Sequence, residues 1–317
     1  MTVLLAAPPD TLDGRMYLSA YGGEVCELIS PGLIRFDQKL QPQGDLAESF
    51  LRQDDRTWKF VLRDGLTFHD GSKVTSADVK ATFEGLRALK SPRVEKYAAV
   101  DSIEAVDERT VIFHLKYPYA PLLSELTLSI VPKSRAAGEG AKLQDKEPIG
   151  AGPFKLVSWA DEDHVELVPF EHYYKGAPKI SSLHIRVVRD ETTRVLEMLK
   201  GRADLLNAVA PPVLPVLQKS ENVRVRSDEG LGFAYLLPNV RSGPLSDARV
   251  RQAICHGINT KVVVDAKFHG LATPATGFLP SSHWAYQPTE GCTFDPERAM
   301  KLLDEAGYPD PDGPTGP

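Results

Sequence analysis

The chain has 317 residues, of which 42% are hydrophobic and 25% are charged, and its formal net charge is -6. This balance is typical of a soluble globular protein that is long enough to form two or more lobes. The negative charge argues against nucleic acid or an anionic membrane surface as a partner, and no apolar run approaches the length that spans a bilayer.

The N-terminal part alternates short apolar runs with turns. Residues 1–7 are apolar but lack the basic start of a secretory signal, so they are predicted to form a buried strand. If the natural protein is exported, its signal has been removed from this chain. Residues 17–23 are predicted to form a loop of aromatic and small residues that either lines a binding site or lies at the surface. A helix is predicted over residues 25–29.

The most strongly patterned stretch is residues 57–79, which read TWKFVLRDGLTFHDGSKVTSADV. Apolar residues alternate over 58–62, which predicts a strand with one buried face. Two Asp-Gly dipeptides follow, and they are typical of tight turns. Thr75 or Ser76 is predicted to cap a helix with apolar residues on one side. The stretch contains nothing that resembles a nucleophile, a base or a metal site.

The middle of the chain alternates hairpins with connecting segments. Two hairpins are predicted, over residues 102–106 with 110–115 and over residues 154–159 with 165–169. The polar, glycine-containing residues 138–146 are predicted to be a connector. Residues 148–154 contain two glycines and two prolines before a strand, which is typical of a crossover between lobes.

The last third of the chain is predicted to be α/β. A strand over residues 183–188, a helix that Asp190 caps and a strand at residues 204–206 imply a parallel pair joined by a right-handed crossover. Residues 231–237 are predicted to form a further strand. Three helices are predicted after it, and they begin near residues 247, 260 and 295.

The three cysteines, Cys26, Cys255 and Cys292, form neither a disulfide framework nor a metal cluster. Each is expected to be a small buried hydrophobic residue. A bridge between Cys255 and Cys292 stays open as an alternative, because an oxidising compartment permits it and the sequence does not decide it.

Candidate catalytic and metal-ligating residues are few. His164 and Glu166 lie two residues apart, but Glu166 alternates with apolar neighbours, which favours a solvated strand face over a metal site. His69 and Asp70 lie in a turn, where aspartate has a structural role. The sequence has no serine-hydrolase, zinc-protease or P-loop motif. We therefore expect a binding protein, without catalytic residues, cofactor or metal, that closes around its ligand between lobes.

Six segments in the same order resemble the extracellular solute-binding proteins of family 5, the peptide-binding components of ABC importers. They are residues 11–13, 46–79, 148–154, 171–178, 199–204 and 247–253. Ala151 stands where family members commonly have threonine. The resemblance covers nearly the whole chain, and six weak motifs in one order make a strong signal.

The resemblance implies an α/β fold of the type II periplasmic binding protein kind, with several lobes, mixed sheets and a central cleft. Lobe I is expected to combine residues 1–46 and 149–241, and lobe II to be residues 47–148. Lobe III is expected to begin at residue 242. Because family members are longer, we expect the chain to be truncated within lobe III at residue 317, which would leave the cleft incomplete.

The resemblance also implies where a ligand binds. In peptide-binding relatives the ligand lies extended between lobes I and III and pairs with the protein backbone as an added strand. By position, the contacts would be Ser19, Ala20, Tyr21 and Gly22, in the loop after the first strand, together with Asn207, Tyr235 and Asn239. The acid that reads the amino terminus of a peptide is expected in the absent part of lobe III.

The implied function is peptide binding for an ABC importer outside the cytoplasmic membrane, with permease subunits as partners. One alternative is the same transport role for a nickel chelate, sugar or opine, because the fold does not determine the solute. Another is a sensory or chaperone-like module, and a third is a hydrolase, which would need a nucleophile and a base in contact.

Overall fold

The computed structural model describes residues 1–228, 230–281, 283–289 and 291–310. Residues 311–317, which belong to the predicted beginning of lobe III, lie outside the described residues. The chain divides into two compact units, Met1–Ala208 and Val209–Pro317.

The strands are β1 (Thr2–Leu5), β2 (Ile34–Phe36), β3 (Pro42–Gly44), β4 (Ala47–Asp54), β5 (Thr57–Leu62), β6 (Val100–Ala105), β7 (Thr110–Leu115), β8 (Phe154–Ala160), β9 (His164–Pro169), β10 (Leu183–Val187) and β11 (Leu205–Leu206). The helices are α1 (Ala20–Ile29), α2 (Ser76–Ala88), α3 (Leu122–Glu125), α4 (Gly138–Lys146), α5 (Glu191–Leu199), α6 (Leu214–Gln218), α7 (Ala248–Gly257), α8 (Thr260–Phe268) and α9 (Pro296–Glu305). Short 3-10 turns lie between several of them. No helix among the described residues is long and apolar enough to cross a bilayer.

A five-stranded mixed sheet in the order β11-β1-β10-β9-β8 forms one half of the first unit. Strand β1 is parallel to both β10 and β11, whereas β9 is antiparallel to both β10 and β8. Helix α1 packs Val25 and Ile29 onto apolar side chains of this sheet. The predicted parallel strands β10 and β11 are therefore in one sheet, but β1 lies between them.

The stretch at residues 57–79 contributes its strand, β5, to the inside of a second, four-stranded antiparallel sheet in the order β4-β5-β7-β6. Its predicted strand, turns and helix are confirmed, as is the hairpin of β6 and β7. Phe60 and Phe113 meet edge to face at 5.5 Å, and Phe83 of α2 meets Phe113 at 5.2 Å. The alternating apolar residues of β5 thus pack with apolar residues of α2 in the core of this half of the unit.

Buried polar contacts tie the N-terminal segment to α4. Arg15 is fully buried, donates to Asp13 at 2.6 Å and donates to the carbonyl oxygen of Ala136 at 2.8 Å. The Thr11 hydroxyl donates to the carboxylate of Asp145, a residue of α4. Removal of one partner from a buried ion pair is destabilising, because the other charge is left buried without a partner. These buried contacts therefore hold the N-terminal segment in place.

The predicted connector at residues 138–146 is wrong, because these residues form helix α4. The buried Gln144 side chain explains the difference, since its amide donates to the carbonyl oxygen of Ile149 at 2.9 Å and accepts from the Ile149 N–H at 3.2 Å. The polar composition of the segment hides this helix from a search for apolar periodicity.

The second unit contains α7 and α9, which pack against each other, and Val250 and Ala253 of α7 and Ala299 of α9 are buried. The predicted starts of α7, α8 and α9 are confirmed, with Asp247, Asn259 and Asp295 as the N-caps. The Cys255–Cys292 disulfide, which the sequence left open, is formed, so these two cysteines are not free thiols. Cys26 is free and buried, as expected.

The strand predicted over residues 231–237 is wrong. These residues have no regular secondary structure, and Tyr235, Leu236 and Leu237 are 64%, 71% and 83% exposed. A strand needs a hydrogen-bonded neighbour, and the described part of the second unit contains no strand. The alternation of apolar residues is therefore not enough to form a strand here.

Candidate functional site

Ser19, Ala20, Tyr21 and Gly22 were predicted to lie in a loop, and this is corrected by the structure. Ser19 is the N-cap of α1, and the other three residues form the first turn of that helix. The Ser19 hydroxyl accepts a hydrogen bond from the Gly22 N–H at 2.9 Å, as Ser does at many helix starts. The helix was predicted to begin at residue 25, whereas α1 begins at Ala20, so the residues of its first turn were assigned to the loop.

Asp10 determines the conformation of this helix start. One carboxylate oxygen accepts from the N–H groups of Leu18 and Ser19 at 2.7 and 3.2 Å, and the other accepts from the Ser19 hydroxyl at 2.6 Å. A Cβ atom on Gly22 would lie 2.1 Å from that second oxygen, so only glycine permits the approach. Partial burial raises the pKa of Asp10, but the hydrogen bonds from Ser19 and Leu18 lower it more, and the net shift is downward.

Two backbone donors of this turn are available for a ligand. The N–H groups of Ala20 and Tyr21 have no protein acceptor among the described residues, as is usual for the first turn of a helix. Ala20 is exposed and Tyr21 is half-buried. The turn can therefore donate hydrogen bonds to a carbonyl oxygen that approaches from solvent.

Asn207 lies close to the same helix, as the sequence could not show. It follows β11, and its side-chain amide donates to the carboxylate of Glu24 at 3.0 Å, one turn beyond Ala20 in α1. The side-chain oxygen of Asn207 accepts from the Ala208 N–H at 2.9 Å. Because β11 pairs with β1, the fold brings the residue after β11 to the helix that follows β1.

An apolar cavity of about 260 Å³ lies beside this contact. Its walls include Val3 of β1, Val25 and Leu28 of α1, and Leu205 of β11, while Glu24 and Asn207 are polar lining groups. A cavity of this size accommodates a small apolar group and places two hydrogen-bonding side chains next to it.

Tyr235 and Asn239 lie in the second unit, whereas the other predicted site residues lie in the first. The Tyr235 ring is 5.2 Å from that of Phe233 and is mostly exposed. Asn239 uses its side-chain oxygen to accept from the Arg241 N–H at 3.1 Å.

The sequence missed Asp10 and Glu24 as candidate site residues. Asp10 is part of a loop of prolines and polar residues, and only its distance to Ser19 shows its role. Glu24 lies four residues after Ala20, a helical spacing that would have placed both on one side of α1 if the helix start had been predicted. In the part of the chain that the structure describes, no group of three or more His, Cys, Asp or Glu residues is placed to hold a metal ion.

Comparison with known proteins gives consistent results over most of the chain. Residues 41–315 match the family model described as bacterial extracellular solute-binding proteins, family 5 Middle. The glutathione-binding protein GsiB of Escherichia coli strain K12 is 32% identical over 286 residues, which are 88% of this chain and 56% of that protein. The chain therefore spans little more than half the length of this relative.

Solved structures with the same fold include two proteins at 25% identity. NikZ from Campylobacter jejuni, in complex with Ni(L-His), has a TM-score of 0.87 over 96% of this chain and 62% of that chain. The periplasmic binding protein DppA from Helicobacter pylori, in complex with the peptide STSA, has a TM-score of 0.85 over 98% of this chain and 66% of that chain. The predicted α/β fold of the periplasmic binding protein type is thereby confirmed.

Proposed function

Because the chain belongs to the bacterial extracellular solute-binding proteins of family 5, we propose that it is the substrate-binding part of an ABC importer and binds a peptide or peptide-like solute. The match of residues 41–315 to the family is the observation that carries this proposal. Its relatives are binding proteins by their names, which supports a role without catalysis. The place of action would be outside the cytoplasmic membrane, with permease subunits as partners.

The charges around α1 favour a peptide over a simple anion. The N–H groups of Ala20 and Tyr21 are donors, but Asp10 already places a carboxylate at this helix start and Glu24 adds another one turn later. A second anion would be repelled there, whereas a neutral peptide carbonyl would accept the hydrogen bonds and an amino group would be attracted. A peptide offers both of these groups.

We further propose that the predicted lobes and contacts hold for the whole protein. Lobe I would combine residues 1–46 and 149–241, lobe II would be residues 47–148, and lobe III would begin at residue 242. Ser19, Ala20, Tyr21 and Gly22 would bind the peptide backbone. Asn207, Tyr235 and Asn239 would line pockets for its side chains, and the apolar cavity beside Asn207 supports this for the first of them.

Isothermal titration of the whole protein with short peptides and with glutathione tests this proposal, because the 317 residues span little more than half the length of the relative GsiB. Glu24→Gln is expected to weaken peptide binding about fivefold, because a partly exposed charge pair contributes about 1 kcal/mol. Glu84→Gln is the matched control, since Glu84 is an exposed glutamate of α2 in the same unit. Equal peptide affinities in the wild type and Glu24→Gln would contradict the proposed site. If the wild type bound neither the short peptides nor glutathione, the proposal of a peptide-like solute would be contradicted.

A non-peptide solute is the second candidate, and the similarity to NikZ favours it. The distinguishing experiment is native mass spectrometry of protein purified from cells, which reports the mass of any retained ligand. A peptide mass supports the first proposal. A nickel complex, a sugar or an opine would replace it while leaving the binding role intact.

A further inference from the structure

Two histidines that are distant in sequence lie side by side on one face of the five-stranded sheet. His164 of β9 and His184 of β10 have ring centroids 5.7 Å apart and ring planes at 30°. Their strands pair so that His184 is opposite Glu166 and Arg186 is opposite His164, which makes the two histidines diagonal neighbours. Both remain accessible, with side chains 27% and 41% exposed.

Each histidine has a carboxylate beside its Nδ1 atom. His164 Nδ1 is hydrogen-bonded to Asp163 Oδ2 at 2.8 Å, and His184 Nδ1 lies 3.2 Å from Glu166 Oε1. The other oxygen of Glu166 accepts from the Ser158 hydroxyl at 3.2 Å, which holds that carboxylate in place. Among the described residues neither Nε2 atom has a hydrogen-bond partner. A carboxylate at Nδ1 with Nε2 open is the arrangement that orients histidine as a metal ligand.

We propose that His164 and His184 together bind a divalent transition-metal ion of the zinc type through their Nε2 atoms. Imidazole nitrogen is a preferred ligand of zinc, nickel and copper, whereas magnesium and calcium prefer oxygen. This site lies on the sheet face and does not rest on the proposed solute-binding function.

The spacing of the rings suits a shared ion. An ion at about 2.0–2.1 Å from each Nε2 atom would lie about 3.2 Å from each ring centroid, and a tetrahedral angle would then place the centroids about 5.2 Å apart. The observed separation is 5.7 Å, so the ring centroids would have to approach each other by about 0.5 Å to share an ion. The pairing of the two strands therefore keeps the two rings side by side before any ion arrives.

The charges that face the pair favour a cation. Asp163 and Glu166 carry negative charge next to the rings, and the nearby Arg186 is paired with Glu197 of α5 at 3.3 Å. No third histidine, cysteine or carboxylate in the described residues completes the site, so water or an added ligand would fill the remaining positions. Such a site is expected to be of moderate affinity and accessible to exchange.

Calorimetric titration of zinc chloride into the full chain, stripped of metal with a chelator, tests the proposal at mildly alkaline pH. The wild type is expected to bind one zinc ion with a dissociation constant on the order of micromolar. His164→Gln and His184→Gln should each weaken this binding at least about tenfold, and Glu166→Gln should weaken it about tenfold because the orienting charge is lost. Both histidines are on the surface, so these variants are expected to fold.

His114→Gln is the matched control. His114 is also a half-exposed histidine on a strand with a glutamate nearby, Glu104 at 3.5 Å, but it lies on β7 in the other sheet. Its replacement should leave zinc binding unchanged. Nitrogen NMR of the histidine rings should show the Nε2 signals of His164 and His184 shifting with zinc while Nδ1 stays protonated. Equal isotherms for the wild type and the His164→Gln/His184→Gln double variant, or no zinc binding by the wild type, would overturn the proposal.

Discussion

His69, a turn residue, connects two segments of the first unit that are far apart in sequence. Its backbone N–H donates to the Gly150 carbonyl at 2.8 Å, its Nδ1 accepts from the Gly150 N–H at 3.4 Å, and its Nε2–H donates to the Gly152 carbonyl at 3.1 Å. The ring also meets Phe170 edge to face at 5.0 Å. These contacts need one neutral tautomer, because Nδ1 must accept while Nε2 donates.

The pH dependence of stability should report on His69. Burial lowers its pKa from 6.5 to about 4, a shift that the hydrogen bond to Gly152 and the nearby Asp70 oppose and that Lys155 supports. Since the pKa is lower in the folded state, the stabilising contribution is fully present above pH 6.5 and is lost as the pH falls toward 4. At about 1.4 kcal/mol per unit, the loss is roughly 3 kcal/mol.

Chemical unfolding of the wild type and His69→Gln across this pH range measures that loss. The free energy of unfolding of the wild type should fall more steeply than that of the variant, by roughly 3 kcal/mol in total. His114→Gln, which removes a half-exposed histidine of β7, should follow the wild type. Parallel curves for the wild type and His69→Gln would show that His69 does not carry the effect.

Helix α2 shows how a single element is held at its start. Thr75 and Asp78 form a capping box, in which the Asp78 carboxylate accepts from the Thr75 N–H and hydroxyl at 2.8 and 2.6 Å. The other oxygen of Asp78 accepts from the N–H of Lys133 at 2.8 Å, so the cap also positions a distant segment. Asp78 is buried, which makes its hydrogen bonds costly to lose.

Replacement of these two residues should therefore have unequal effects. Thr75→Ala is expected to lower the free energy of unfolding by about 1 kcal/mol, the usual cost of an N-cap. Asp78→Ala should cost more, about 2 kcal/mol, because the N–H of Lys133 also loses its acceptor, the buried Asp78 carboxylate. Lys80→Ala, which breaks only an exposed pair with Glu84 at 3.8 Å, should change it by less than about 0.5 kcal/mol. Equal costs at Thr75 and Asp78 would refute a role for the Lys133 contact.

At the scale of the molecule, the two units are stabilised by different means. The first unit has two apolar clusters built on its sheets, whereas the second unit is helical and irregular and contains the Cys255–Cys292 disulfide. The bridge links α7 to the segment before α9, where His256 also forms a hydrogen bond with the Thr293 carbonyl oxygen at 2.8 Å. A unit with a small core depends more on such a cross-link.

Reduction of the disulfide should act mainly on the second unit. The bridge closes a loop of 37 residues, which corresponds to about 4 kcal/mol by the loop-entropy relation. Hydrogen exchange of α7 and α9 should therefore become faster with reductant, with the five-stranded sheet as the internal reference. A Cys255→Ser/Cys292→Ser variant should show no response to reductant. Unchanged exchange in the wild type would contradict the expected contribution.

Local patterns in the sequence determined much of this structure. The alternation at residues 58–62, the Asp-Gly turns at positions 64–65 and 70–71, and the cap at Thr75 predicted their elements correctly. Each of these elements is determined by residues that are close together in sequence, because a tight turn needs a residue that accepts positive φ and a helix cap needs a short polar side chain. The order of six such motifs was enough to predict the family, which the comparisons confirm.

What depended on contacts between distant residues was decided only by the tertiary structure. Asp10 makes residues 19–22 the start of a helix, Gln144 and Asp145 stabilise α4, and the absence of a partner strand in the described part of the second unit leaves residues 231–237 irregular. The pairing of β9 with β10 places His184 beside His164, twenty residues away in sequence. A sequence pattern specifies one strand or helix, whereas a binding site needs the register between elements, and that register is set by packing.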